Sequence, residues 1–214
     1  MKQLLTLALC LVMTTAYAQT DTVTLKHTGY TSLYSKTLHY PLMVQWWVTK
    51  ARVGCASPLP RKDAFGPDPL LKKETDLNND YKGAGYDRGH MCPAADNECG
   101  GAAELAECFY FSNMVPQPHS ENAGQWKNLE TMTRDMALKL DSCYIWAGGI
   151  GNYKTFGKDK VVVPTKCWKV VYVKATKTWL AYIFDNTGIK EDLPKCKSTI
   201  AEVEKLTGFK FTPK

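Results

Sequence analysis

VVVPTKCWKVVYVKATKTWLAYIF, Val161 to Phe184, decides the fold. β-Branched and aromatic residues fill it, and the polar run Lys174–Lys177 divides it, so it reads as strands around a hairpin turn. Just upstream, CYIWAGGIG (143–151) is a further strand ending in a glycine turn, and PLMVQWWVT (41–49) has the same β-branched and aromatic character. ECFYFSNMV (107–115) reads as another strand, ended by Pro116 and Pro118. Helical spacing occurs in AGQWKNLETMTRDMALKL (123–140), where Trp126, Leu129, Met132, Met136 and Leu140 fall on one face. STIAEVEKLT (198–207) predicts a closing helix with Ser198 as N-cap and Gly208 as its stop. Long antiparallel strands with few helices predict an α+β fold, a central, mainly antiparallel sheet flanked by helices. A parallel sheet needs regularly alternating helices, and these are missing from the pattern.

The chain has 214 residues and is 44% hydrophobic, enough for one sizeable core. Residues 1–18 read as a signal peptide: Lys2 supplies the charge, Leu4 to Met13 the apolar run and Ala16-Tyr17-Ala18 the cleavage signal. Residues 19–214 then form a single domain, and the expected location is outside the cytoplasm, periplasmic or secreted. The apolar run falls well short of the ~20 residues of a membrane span, so no membrane anchor is expected. Loss of Lys2 and Cys10 takes the net charge from +6 to +5 and the cysteines from eight to seven. The modest positive charge suits polyanionic partners. Seven cysteines in an exported chain predict disulfides with one thiol left over. Cys143 with Cys167, and Cys99 with Cys108, are candidate bridges. A zinc site is disfavoured because no CxxC pair occurs. From Gly54 to Gly85 the chain is rich in Pro, Gly, Asn, Asp and Lys and reads as a long surface loop, a length at which loops are usually functional or disordered.

YDRGHMCPAAD (Tyr86–Asp96) crowds acid, base, imidazole and thiol into one turn-rich stretch. Gly89 permits a sharp turn, and Arg88 offers a forked donor suited to phosphate. Asp87 is expected to tie down its own turn. SNMVPQPHSENAGQWKNLE (Ser112–Glu130) follows, with Asn113, Gln117, Asn122 and Glu130 clustered near the mouth of a helix. Asn122 falls at the expected helix start, where it could also act as N-cap, and Glu130 lies two turns on, about 80° around. Both can face one cleft and hold a hard metal ion beside a base. His119 is an exposed loop histidine without an assigned role, and His27 and His39, outside the motif region, have none either. Most of the tryptophans fit the core.

DRGH followed by SNMVPQ and NAGQWKNLE resembles the DNA/RNA non-specific endonucleases, the ββα-metal (His-Me finger) nucleases, over residues 40–185. The resemblance implies that His90 is the general base and Asn122 the metal ligand. It implies that Arg88 and Arg61 face phosphates, that Glu130 holds water at the metal, and that Asn113 shapes the site. Gln117 is a further candidate substrate contact. Cys92 stands where the family often has alanine; it is the candidate odd thiol, and if paired it would staple the catalytic loop. The implied activity is metal-dependent hydrolysis of DNA and RNA to 5′-phosphate products, with Mg²⁺ as the expected cofactor and Mn²⁺ or another divalent cation as substitute. DNA and RNA are the expected partners. A homodimer is compatible with this reading, and it names no inhibitor protein. Two rival functions are a phosphodiesterase or phosphatase acting on small nucleotide esters, and a catalytically silent nucleic-acid-binding protein.

Overall fold

The computed structural model describes residues 21–71, 76–189 and 191–213. The expected signal peptide, residues 1–18, lies outside them. The strands are β1 (Thr22–Lys26), β2 (Thr31–Ser35), β3 (Tyr40–Thr49), β4 (Asp87–His90), β5 (Met114–Gln117), β6 (Ser142–Ile150), β7 (Lys154–Phe156), β8 (Val161–Val163), β9 (Lys166–Val173), β10 (Thr178–Asp185) and β11 (Lys197–Ser198). The helices are α1 (Lys50–Val53), α2 (Asn78–Tyr81), α3 (Ala102–Glu107), α4 (His119–Glu121), α5 (Lys127–Leu140) and α6 (Ile200–Thr207). A seven-stranded sheet runs β1-β2-β3-β6-β9-β10-β11, every pairing antiparallel. This is the α+β architecture expected. No helix among the described residues is long and apolar enough to cross a membrane.

Successive side chains of a strand point to opposite faces, so β6 serves two cores at once. Cys143, Ile145 and Ala147 join the larger core, together with Val44, Trp46 and Val48 of β3, Val171 and Val173 of β9, and Leu129 and Ala137 of α5. Tyr144 and Trp146 face the other side, where they meet Trp168, Val170, Val203 of α6 and Phe211. Helices cover both faces, which is why β6 lacks an exposed side and reads as a continuous apolar run. Each buried aliphatic or aromatic side chain contributes about 1.5–3 kcal/mol. Helix α5 lays Leu129, Thr133 and Ala137 on the sheet, and Leu140 is exposed, so the buried stripe is rotated from the one its methionines suggest.

Three local expectations change. The strand expected at 107–115 is the end of α3, a helical turn over Phe111–Asn113, and then β5. The Asn113 side chain takes over backbone groups of Cys92 and Cys108, and this holds the turn out of the extended form. Pro116 lies inside β5 rather than ending it, opposite Arg88 in a two-stranded pair that tolerates its missing donor. Thr199 caps α6 instead of Ser198, because it is Thr199 that stands three residues before Glu202 and completes a reciprocal capping box. Gly208 ends the helix at φ +75°, as expected.

The cysteine pairing also differs. Cys55 is bonded to Cys99, and Cys92, Cys108, Cys143, Cys167 and Cys196 are thiols. Cys92 is unbonded as expected, but neither candidate bridge is formed and more than one thiol remains. Cys143 and Cys167 lie on adjoining strands but not opposite each other, since Cys143 pairs with Val173 and Cys167 with Gly149. The Cys55–Cys99 bond ties the start of the long loop to the segment after His90, across 44 residues. Closing a loop of that length is worth ~4 kcal/mol in the chain-entropy account. Cys55→Ser is therefore expected to lower Tm by roughly 8–16 °C, measured by calorimetry under non-reducing conditions. An unchanged Tm would mean that the bond closes no entropy-rich loop.

Candidate active site

β4 and β5 form a separate antiparallel pair, with His90 opposite Met114 and Gly89 opposite Val115. Gly89 does not make the sharp turn expected of it. It sits in an extended strand, and a Cβ there would lie 1.9 Å from Gln117 Oε1, so its smallness serves close approach. Trp126 reaches from the start of α5 and donates its indole N–H to the His90 carbonyl at 3.0 Å. Met91 N–H donates to the Asn113 carbonyl at 3.0 Å, so both sides of His90 are pinned.

The imidazole is boxed by aromatic rings. Phe65 lies 5.6 Å from it and Phe109 5.2 Å, the latter edge to face. Arg88 lies over the same Phe65 ring at 5.1 Å and over Tyr81 at 5.1 Å, and donates to the Asn78 carbonyl at 3.1 Å. Arg61 lies over Phe109 at 5.5 Å and is paired with Asp63 at 2.6 Å. The structure thus gathers Arg61, His90 and Arg88 around two phenylalanines. Among the described residues neither His90 Nε2 nor Arg88 Nε, both buried, meets a hydrogen-bonding group. Burial first, and the Arg61 charge second, push the His90 pKa down to about 3, so the ring is neutral at ordinary pH.

Asn122 stands elsewhere in the helix than expected. Helix α4 starts at His119 with Pro118 as its N-cap, so Asn122 has helical φ/ψ, closes α4 at its C-terminal end and is not an N-cap. Residues Asn122–Trp126 form a wide π turn broken at Gly124 (φ −99°, ψ −114°), and α5 starts only at Lys127. Angular arithmetic for one continuous helix therefore does not relate Asn122 to Glu130. Asp87 does not tie its own turn: its Oδ2 accepts from Asn122 Nδ2 at 2.8 Å and lies 2.8 Å from His119 Nδ1. With its nitrogen anchored, the Asn122 amide has its oxygen left for a cation. One amide oxygen beside a carboxylate is a hard donor set and fits Mg²⁺ or Mn²⁺. Among the described residues no group of three or more His, Cys, Asp or Glu is arranged to hold a metal.

Three other candidates lie inside. Asn113 is fully buried; its Oδ1 accepts from Cys92 N–H at 2.9 Å and its Nδ2 donates to the Cys92 and Cys108 carbonyls at 2.8 Å each. Gln117 is also fully buried and donates to Glu121 Oε1 at 3.2 Å, a placement that supports packing under Gly89 rather than contact with substrate. Glu130 lies behind Trp126, with Lys169 Nζ 3.7 Å from its Oε1 and 4.0 Å from the Trp126 ring centroid. Burial raises the Glu130 pKa and lowers that of Lys169, and their mutual attraction opposes both shifts. Sequence reading assigned nothing to Lys169, Phe65, Phe109 or Glu121. A lysine in an otherwise apolar strand was the available signal for the first.

Glu121 is buried, and burial raises its pKa to about 8. Between its ordinary 4.5 and about 8 the folded chain holds a proton that the unfolded chain has lost, so stability falls as pH rises through that window. Glu121→Gln removes this titration and is expected to raise Tm at pH 9 by on the order of 5 °C, with little change at pH 5. A pH-independent difference between the two proteins would contradict the assignment.

The sequence matches the DNA/RNA non-specific endonuclease family over residues 12–214. The chain belongs to that family. Among curated proteins it is similar to the mitochondrial nuclease EXOG of Xenopus laevis, 34% identical over 169 residues, covering 70% of this chain and 47% of that protein. Human mitochondrial EXOG is 29% identical over 210 residues, covering 87% of this chain and 56% of the relative. The chain thus spans about half the length of these relatives. Among solved structures, one described as the EndoG/EndoGI complex and the mechanism of EndoG inhibition superposes with TM-score 0.80 at 25% identity, covering 88% of this chain and 84% of that one. These relatives correct the expected location. EXOG of Xenopus, mouse and human and human endonuclease G are all named as mitochondrial, so the periplasmic or secreted reading is withdrawn.

Proposed function

We propose that this chain is a divalent-cation-dependent endonuclease that hydrolyses phosphodiester bonds of DNA and RNA to 5′-phosphate products, with residues 19–214 acting as one nuclease domain. The observation that carries the reading is the neutral, boxed His90, whose buried Nε2 meets no hydrogen-bonding group among the described residues and lies between two arginines that share its aromatic walls. His90 Nε2 takes a proton from water, and the resulting hydroxide attacks the phosphorus in line. Arg88, held by two rings and keeping a free Nε, takes a phosphate oxygen, and the more exposed Arg61 takes a second or a neighbouring phosphate. Asp87 fixes the Asn122 amide so that its oxygen holds the cation, and Asn113 and Glu130 keep the surrounding loop and Trp126 in place. Held at the Asn122 oxygen, Mg²⁺, or Mn²⁺ in its stead, would neutralise charge developing on the phosphate and the leaving 3′ oxygen. Contacts confined to phosphates carry no base information, which accounts for cleavage without sequence preference. An inhibitor protein is a further partner, for which the EndoG/EndoGI neighbour gives a precedent, and a homodimer is compatible with this reading.

The test is a gel assay on plasmid DNA and on RNA, with Mg²⁺ and with EDTA. Fragmentation of both polymers with Mg²⁺ alone supports the proposal. Hydrolysis of a small phosphodiester with both polymers intact would replace it with a small-ester hydrolase. A shifted but uncut band would leave only a binding protein.

A further inference from the structure

Cys92 and Cys108 stand sixteen positions apart in the sequence and meet behind the His90 strand, both fully buried. Two side-chain amides bring them together. Asn97 Nδ2 lies 3.3 Å from Cys92 Sγ and 2.9 Å from Cys108 Sγ, so one nitrogen touches both sulfurs. Its orientation is set from the other side, because Arg52 donates to Asn97 Oδ1 and a guanidinium has no acceptor to offer the nitrogen. Asn113 Nδ2 does the same for the backbone, donating to the Cys92 and Cys108 carbonyls at 2.8 Å each. Hydrogen bonding between the two thiols is also the largest influence raising the Cys108 pKa. The intervening segment already carries one closed bridge, through Cys99 to Cys55.

We propose that Cys92 and Cys108 are a second disulfide site, which closes on oxidation and staples the segment that carries His90 to the end of α3. The chemistry is thiol–disulfide exchange with a small disulfide oxidant such as glutathione disulfide. The Cys92 thiolate attacks the oxidant and releases one glutathione; the Cys108 thiolate attacks the mixed disulfide and releases the second. Two thiol protons and two electrons leave the protein and end on the two glutathione molecules. Because neither sulfur is exposed in the folded chain, exchange takes place while the segment is open during folding, and the closed bond is then shielded from reductant. Asn97 and Asn113 act as the template that selects this pairing.

The experiment refolds the full chain in a glutathione redox buffer, blocks free thiols with N-ethylmaleimide in denaturant, digests without reduction and maps the peptides by mass. The expected result is a peptide containing Cys92 linked to one containing Cys108. A Cys55→Ser, Cys99→Ser protein provides the second measurement. Its Tm is expected to be higher oxidised than reduced by roughly 6–12 °C, the shift for a loop of this length in a domain of this size. Maleimide on both Cys92 and Cys108, or either one bridged to another cysteine, would overturn the proposal, whatever the state of Cys55 and Cys99. Cys92 with Cys108 linked in the map but no reductant-dependent Tm in the double variant would overturn the stapling role.

Discussion

His90→Ala is expected to slow cleavage of a plasmid by about 10²–10⁴-fold at saturating Mg²⁺, the usual worth of a positioned general base. The fold should survive, because the strand's backbone bonds and the Trp126 bond to the His90 carbonyl do not involve the imidazole. His90→Gly leaves a ring-sized hole between Phe65 and Phe109, and added imidazole should restore part of its rate. The pH dependence sharpens the test. A free histidine titrates near ~6.5, and an active base of that kind would lose kcat/KM below neutrality. Burial and Arg61 hold His90 near 3, so in the free enzyme its acid limb should lie well below pH 5. Stability moves with it. The unfolded histidine binds a proton that the folded one refuses, so the contribution is complete above the unfolded pKa and is lost as pH falls toward 3. His90→Ala should flatten that acid loss. Equal rates for wild type and His90→Ala would remove His90 from the mechanism.

Asn122→Ala should cost on the order of 10²–10³-fold in rate, because it deletes the amide oxygen offered to the cation, a contribution of several kcal/mol to charge stabilisation. EDTA should abolish the wild-type activity, and higher Mg²⁺ should recover part of the variant's. The structural cost is confined to the hydrogen bond to Asp87, about 1.5–3 kcal/mol for a bond to a charged group and less here, where Asp87 is partly exposed. Asn122→Ala with normal rate and normal Mg²⁺ dependence would show that the cation, if required, is held elsewhere.

The sheet was legible because β3, β6, β9 and β10 are rich in β-branched and aromatic residues, and burial on both faces removes the polar punctuation that confuses shorter segments. β1 and β2 are not legible for the opposite reason: the edge strand β1 and its neighbour β2 are Thr- and Ser-rich and partly exposed, so they look like loop. The strand expected at 107–115 gives way at Asn113, whose side chain satisfies backbone groups of Cys92 and Cys108. DRGH and the asparagine–tryptophan helix point to the candidate site, since those residues are local in sequence. Its walls were not legible. Phe65 and Phe109 come from a long loop and from the end of α3, and only the folded chain brings them to His90. Asp87 was misjudged because its partners, Asn122 and His119, lie more than thirty residues away.

The break at Gly124 separates the turn that carries Asn122 from the long helix α5. Hydrogen-bond cooperativity along a helix does not pass through a residue with non-helical φ/ψ, so the two pieces are expected to open independently. Helix α5 is anchored by Leu129, Thr133 and Ala137 against the sheet, and its amides should exchange with deuterium only on global unfolding. The amides of 119–125 should exchange through a smaller, local opening, faster by orders of magnitude in the absence of cation. The arm proposed to hold the cation should thus have a breathing motion of its own, with the core staying closed while it moves.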